Sequence, residues 1–419
     1  MVGGIDLWRS VNGGKSLTKI SQWFAAPKSA HADHHIIVHH PDYNGTTNNT
    51  VFFGNDGGIY RANVKTVQNT EGWQDLNNNL GITQFYGAAG HPGTGRIIGG
   101  TQDNGTLFYK PTTVKQRWTQ TLTGDGGFSA ADPSNANYFY GEYIFLQIHR
   151  STDGGVSANY IYSGIDDADK RCALFIAPFI LDPNNSNRML AGGCSLWRSN
   201  NVKATKPTWE QIKQPVPPQN GITVQISAIA VAPGRPNIIW VGYTNGEVWK
   251  TINGNGQDPT WTKVDSASLP NRYVTRIAVQ EGNPDVVYTT YGGFYEGSSG
   301  NIWKSTNGGA SWTNIHGSGT SGLPAVPIRS VVIHPTKPKW IYVGTELGIF
   351  VSKNGGNDWL LPHRGPTNAS VDELFFMDTT IYAATHGRGV FKSPTLETDV
   401  KTAEGGETSE TEAAGTANP

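Results

Sequence analysis

Apolar residues in this chain come in short runs separated by polar turns, and the order of runs repeats. Between Ile328 and Trp359 the stretch "IRSVVIHPTKPKWIYVGTELGIFVSKNGGNDW" offers one apolar run ending at Pro335, a second in "WIYVGT", a third in "GIFVS", and then the turn "KNGGNDW". Runs of this length, bounded by Gly, Pro and Asn, predict strands, and Ala/Leu/Glu/Lys-rich stretches that would predict helices are few. The same order recurs in "ISAIAVAPGRPNIIWVGYTNGEVWKTINGNGQDPTW", "VTRIAVQEGNPDVVYTTYGGFYEGSSGNIWKSTNGGASW" and "LFIAPFILDPNNSNRMLAGGCSLWRSNNVKATKPTW", and more loosely in three units upstream. Each unit runs about 40 to 50 residues and supplies four short strands, the period of a β-propeller blade.

The pattern predicts an all-β chain, a single β-propeller of four-stranded blades over residues 1–396. Seven full units lie between His31 and Pro366. The end "DELFFMDTTIYAATHGRGVFKS" adds three strands, and the start "GGIDLWRSVNGGKSLTKI" adds two around a turn. Closing the ring with strands from both termini would leave no exposed sheet edge and gives eight blades, with seven as the alternative if one weak unit is an insertion. The turn "SxNGGxxW" is complete at Ser305 to Trp312 and Ser352 to Trp359, and lacks its tryptophan at Ser10 to Leu17 and Ser151 to Ala158. Its hydroxyl and Asx side chains bond the turn backbone while glycine takes positive φ. These residues resemble the Asp-box, or BNR, repeat of sialidase-like propellers, in which the box builds the turn and does no chemistry.

Composition agrees: among 419 residues are 52 Gly and 13 Trp, and the 37% of hydrophobic residues can bury a large core. Net charge is -1, from 32 Lys and Arg against 33 Asp and Glu, so no basic field exists for nucleic acid or an anionic membrane. The segment 397–419 carries six acids against Lys401 and no aromatic residue, which predicts a disordered acidic tail. No apolar run is long enough to span a bilayer, and "MVGGIDLWRS" is no signal peptide. The composition resembles that of secreted carbohydrate-active proteins, so a secreted or cell-surface monomer is expected. Cys172 falls just before the first strand of its unit and Cys194 just after the second, which makes them neighbours with a disulfide open to them.

In a four-stranded antiparallel blade, the entry to the first strand and the turn between the second and third lie at one rim. Asp33, His34 and His35 enter one unit and "GNDGG" (Asp56) is its turn. The next has "TQFY" (Tyr86) and "GTQDNG" (Gln102, Asp103, Asn104). A third has "TGDGG" (Asp125) and "GEY" (Tyr143), and the last has "THGRG" (His386, Arg388). His39, His40 and His334 fall at the opposite rim. Asp before Gly-Gly is also a common turn former. Clustering on one rim is what marks a site. His34 and His35, on a regular strand, point to opposite faces, so one of them at most faces the channel.

The series "DHH…P…GNDGGIYR", "GTQDNG", "GDGG" and "ATHGRGVF" resembles a large group of bacterial exported BNR-repeat proteins labelled glycosyl hydrolases. Its "GNDGGIYR" is similar to the "TDxGGxYR" turn of family 74 glycoside hydrolases, the xyloglucanases, where the aspartate is catalytic. That resemblance implies a catalytic Asp56; in that family the second catalytic aspartate belongs to another propeller, and Asp125 is its loose analogue here. Inverting glycoside hydrolysis needs two carboxyl groups about 6.5–9.5 Å apart, which Asp56 with Asp103 or Asp125 would supply, with no cofactor. Tyr86, Gln102, Asn104, Tyr143, His386 and Arg388 would then bind a glycan. A second class is a metal-assisted hydrolase of phosphate or sulfate esters, with His34, His35 and Asp33 holding calcium, manganese or zinc. A third is a non-catalytic propeller that binds glycan or protein, with Tyr291, Phe294 and Tyr295 added to the stacking surface.

Overall fold

The computed structural model describes residues 1–111, 118–265, 268–294, 300–362, 365–394 and 413–414. These residues form nine antiparallel sheets, and their only helical turns are Trp23–Ala25 and Gly319–Ser321. Sheet I has strands Val2–Gly3, Leu7–Arg9 and Thr18–Lys19. Sheet II has His34–His39, Thr50–Asn55, Gly58–Asn63 and Trp73–Asp75. Sheet III has Phe85–His91, Arg96–Thr101, Gly105–Tyr109 and Trp118–Leu122, and sheet IV has Ser129–Ala131, Phe139–Glu142, Ile148–Ser151 and Asn159–Tyr160. Sheets V to IX open with Phe179–Asp182, Ile226–Ala232, Val274–Val279, Ile328–Ile333 and Ser370–Met377.

The opening strands of sheets III to IX pack side by side in chain order, and that of sheet IX packs back on that of sheet III. Phe85 and Leu107 of sheet III share a core with Met377, Ala384 and Val390 of sheet IX. The opening strands of sheets V to IX line a cavity of about 730 Å³, whose walls include Ala230, Ala278, Val332 and Phe376, with His334 and Pro335 at the rim away from the aspartates. Sheets I and II lie outside this cycle and pack on each other through Leu7, Ile20, Val51 and Phe53.

The eight-sheet ring with both termini in one blade is therefore corrected. The strands of sheet I pair only with one another, because burial of Leu7 and Ile20 commits that sheet to sheet II, where the His34 amide also donates to Gly4 O at 3.0 Å. Strand Gly389–Pro394 pairs instead with Ala413–Ala414; the rest of the expected tail lies outside the described residues.

The recurrent turns have one geometry. Ser305 Oγ accepts the Gly309 amide at 2.8 Å and donates to Asn307 Oδ1, which accepts the Ser311 amide at 2.9 Å; Ser10, Ser151 and Ser352 repeat the arrangement. The tryptophan that follows reaches the preceding sheet. Nε1–H of Trp209, Trp261, Trp312 and Trp359 donates to the carbonyls of Ile161, Ile212, Val264 and Ile315 at 2.8–2.9 Å. Cys172 and Cys194 are neighbours, as expected, and remain free thiols.

Candidate active site

Asp56 occupies the tight turn between Thr50–Asn55 and Gly58–Asn63. Asn77 clamps that turn: its Oδ1 accepts the Ile59 amide at 2.7 Å and its Nδ2 donates to Gly57 O at 2.8 Å. Gly58 sits at φ +110°, and a Cβ there would lie 2.0 Å from Asn77 Oδ1, so only glycine fits. Asp103 tops the corresponding turn of sheet III in the left-handed region, φ +59°. Its amide donates to Asp125 Oδ1 at 3.0 Å, and the loop carrying Asp125 lies so close to sheet III that a Cβ on Gly100 would meet Gly127 O at 2.1 Å.

Two hydrogen bonds tie this turn to sheet II and the segment before it. Asn104 Nδ2 donates to Asp56 O at 3.0 Å, and His31 Nε2 donates to Asp103 O at 3.1 Å. Two clefts meet at the turn. One of about 260 Å³ is walled by Asp56, Asn77 and Ile82 on one side and Gln84, Gln102 and Asp103 on the other. A second, about 450 Å³, runs from Asp103 and Asp125 to the rings of Trp23, Phe24, Tyr143 and Tyr160. Asp103 and Asn104 line both.

Burial, reinforced by the facing charges of Asp125 and Asp56 and opposed by His31, pushes the Asp103 carboxyl up to about 6. Asp56 is paired, its Oδ1 2.5 Å from His35 Nε2. Tyr86 is pushed up to about 12 by burial and by Asp125, Asp103 and Asp372. Beneath the Asp125 loop, Glu142 is fully buried and held well above the usual carboxylate range by burial, although it accepts the amides of Leu146 and Ala177.

His35 and Tyr86 share a device that alternation along a strand hides. The opening strands of sheets II, III, VI, VII and VIII shift register after their first paired residue and that of sheet IX after its second, leaving His35, Tyr86, Ser227, Thr275, Arg329 and Asp372 as the extra residue. Such a bulge re-aims the side chain at the strand mouth. His35 thereby reaches Asp56, and the Tyr86 ring sits 5.2 Å from that of His386, whose Nδ1 is 3.9 Å from Asp372.

His34 instead packs edge-on against Phe53, with both ring nitrogens buried and without a hydrogen-bond partner, and burial lowers it to about 4. Asp33 faces the aromatic cleft. With His35 engaged by Asp56, the expected metal set of His34, His35 and Asp33 is not assembled, and among the described residues no three His, Cys, Asp or Glu groups stand where they could hold an ion. Arg388 turns to Thr367 O at 2.9 Å, and Tyr291 is buried in the core of sheet VII; neither lines either of the two clefts. Phe294 is exposed outside both clefts, and Tyr295 lies outside the described residues. The sequence reasoning passed over Trp23, Phe24, His31, Asn77, Gln84 and Tyr160; the adjacent aromatic pair in "QWFAAP", outside any strand pattern, was the available signal for the first two.

The molecule is thus an all-β, propeller-like assembly of small sheets with a carboxylate-walled cleft where its two groups of sheets meet. No family model matches the chain. A xyloglucanase of Hypocrea jecorina (strain QM6a) is 22% identical over 338 residues, 72% of this chain and 35% of that protein. A xyloglucanase of a Paenibacillus species is 24% identical over 214 residues, 43% of this chain and 20% of that protein. The chain thus spans about a third or less of the length of these curated relatives. The crystal structure of the GH74 xyloglucanase from Xanthomonas campestris superposes with a TM-score of 0.54 at 18% identity, covering 76% of this chain and 52% of that one, a likeness of fold. Among the described residues no helix is long and apolar enough to cross a membrane.

Proposed function

We propose that the chain carries the site of a xyloglucanase-like glycoside hydrolase, with Asp56 as general base and Asp103 as general acid. The observation that carries this is one cleft lined by two carboxyl-bearing turns, from sheets II and III, in unequal surroundings: Asp56 paired with His35, Asp103 pushed up to about 6. Separated carboxyl environments of this kind assign acid and base. Asp103 gives its proton to the glycosidic oxygen, Asp56 takes a proton from the attacking water, and the water oxygen bonds the anomeric carbon as the leaving sugar departs. Asp125 accepts the Asp103 amide, and its charge helps keep Asp103 protonated. Sugar units on one side of the scissile bond would lie over Trp23, Phe24, Tyr143 and Tyr160, with Gln102 and Asn104 offering hydrogen bonds.

We take the cycle of sheets III to IX as a closed seven-bladed propeller with its Asp-box turns on the far rim. A polymeric glycan substrate places the protein outside the cell. No metal takes part in this scheme.

A second assignment has one observation in its favour: Asp125 shares the aromatic cleft with Asp103, and the family resemblance points to Asp125 as the second carboxyl. Reducing-end release from xyloglucan and other β-glucans, with Asp56→Asn, Asp103→Asn and Asp125→Asn, tests the proposal. Loss of about 10²–10⁴ in rate is expected for Asp56→Asn and Asp103→Asn. An aryl glycoside whose leaving group needs no protonation should rescue the acid variant alone. Rescue of Asp125→Asn in place of Asp103→Asn would move the acid to Asp125. Glycan retention without turnover by the wild type would make the cleft a binding site.

A further inference from the structure

We propose that Cys172 and Cys194 form a dithiol pair that closes to a disulfide, fastening the loop between sheets IV and V to the turn between strands Asn185–Gly192 and Leu196–Ser199 of sheet V. They are the only two cysteines in 419 residues, 22 positions apart, and the fold brings them together from different elements. The Cys194 thiol is nearly buried and lies beside that of Cys172, which is partly exposed.

The backbone on both sides is already pinned. Asp167 Oδ2 accepts the Ser195 amide at 2.7 Å, and a Cβ on Gly193 would lie 2.6 Å from that of Asp167, so the loop rests directly on the hairpin turn. The Cys172 amide donates to Asp169 O at 3.3 Å. Closure thus joins two segments that are held together without it, and the geometry of a disulfide tolerates little more than that.

The far end of the same loop supports the wall of the aromatic cleft. Phe175 O accepts the Phe145 amide at 3.0 Å, and the Ala177 amide donates to Glu142 Oε1 at 2.9 Å. Between these anchors Phe145 and Leu146 are both left-handed, at φ +52° and +65°, next to Tyr143. Two consecutive side-chain-bearing residues in that region persist only where their surroundings hold them. A bridge three residues before Phe175 adds a covalent hold on those surroundings.

The chemistry is thiol–disulfide exchange with a small-molecule disulfide. The Cys172 thiolate, the accessible one, attacks the reagent and releases one thiol. Cys194 then loses its proton and attacks the Cys172 sulfur, releasing the second thiol. Two protein thiols lose two protons and two electrons, and one reagent disulfide becomes two thiols.

The full-length chain equilibrated with oxidised glutathione, then denatured and alkylated, reads the result directly and independently of hydrolysis. The expected product carries no alkylated cysteine, is two hydrogens lighter, and yields a peptide joined through Cys172 and Cys194. Cys194→Ala is expected to stop at glutathione on Cys172. The melting temperature of the wild type should rise on oxidation, and that of Cys194→Ala should not. Two alkylated cysteines after equilibration, or a wild type that halts at the glutathione adduct, overturns the proposal.

Discussion

Asp103 is the residue on which pH should act. Its carboxyl is held up at about 6 against an ordinary 3.8, so the folded state resists its ionisation. The sign follows by linkage: a raised carboxyl costs nothing below its unfolded pKa and destabilises increasingly as pH rises from about 4 to about 6. Asp103→Asn should therefore stabilise the protein by about 1 kcal/mol at pH 7.5, after allowance for partial exposure, with the gain shrinking toward pH 4 in urea titrations. In its proposed role as general acid it must be protonated, so kcat/KM should fall about tenfold per pH unit above about 6. Removing the Asp125 charge eases Asp103 ionisation, so Asp125→Asn should move that alkaline limb to lower pH. An unmoved limb would separate the two carboxyls. The meeting of Asp56, Asp103 and Asp125 was legible from turn position alone, because antiparallel order dictates which turns share a rim. The roles of His35 and Tyr86 were not, because a one-residue bulge breaks the alternation from which a side chain's direction is read.

At the scale of the element, the repeat is a linkage between sheets as well as a turn. Each of Trp209, Trp261, Trp312 and Trp359 donates to a carbonyl in the sheet before its own, so four successive junctions carry the same hydrogen bond. Trp312→Phe keeps most of the buried area and removes the donor to Val264 O, which should cost about 1 kcal/mol. Trp312→Ala also empties its place against Trp240, and about 3–5 kcal/mol is expected in denaturant titration. Equal losses for the two variants would mean the hydrogen bond, not the packing, sets the cost. Strand number and order within each unit were readable because the four-strand pattern is local. Which sheets neighbour one another was not, since every unit presents the same local pattern wherever it sits. The residue after the bulge does not mark the cycle either: it is Gly87, Ala228 and Ser330 in sheets III, VI and VIII, Arg276 and Glu373, an ion pair at 2.7 Å, in sheets VII and IX, and Ile36, 56% exposed, in sheet II.

At the scale of the whole molecule, a cycle of seven sheets and a less buried pair share the cleft, which predicts unequal stability of the two. Sheets III to IX support one another around a cycle, whereas the opening strand of sheet II leaves Ile36 and Val38 more than two-fifths exposed and packs beside the strand Val2–Gly3 of sheet I. Burial supplies most of the free energy that opposes local opening, so amides of Ile36–His39 should exchange with deuterium well before those of Ala228–Ala232. Side-chain changes should follow the same division: Val38→Lys is expected to cost under about 0.5 kcal/mol, against more than about 3 kcal/mol for Val241→Lys in the core of sheet VI. Under the proposed function a glycan seated between Asp56 and Asp103 would touch both groups of sheets, and only their docked arrangement would complete its site. Ligand binding that requires the docked form stabilises it by RT ln(1 + [L]/Kd), about 2.7 kcal/mol at a hundredfold excess over Kd. A xyloglucan oligosaccharide should therefore slow exchange in sheet II strongly and in sheets VI and VII hardly at all. Asn104→Ala, which removes the direct bond from the ring to Asp56 O, should weaken that coupling and raise KM more than it lowers kcat. Uniform protection over all nine sheets would instead mean that they open as one unit, and that the cleft is a groove on a single rigid body.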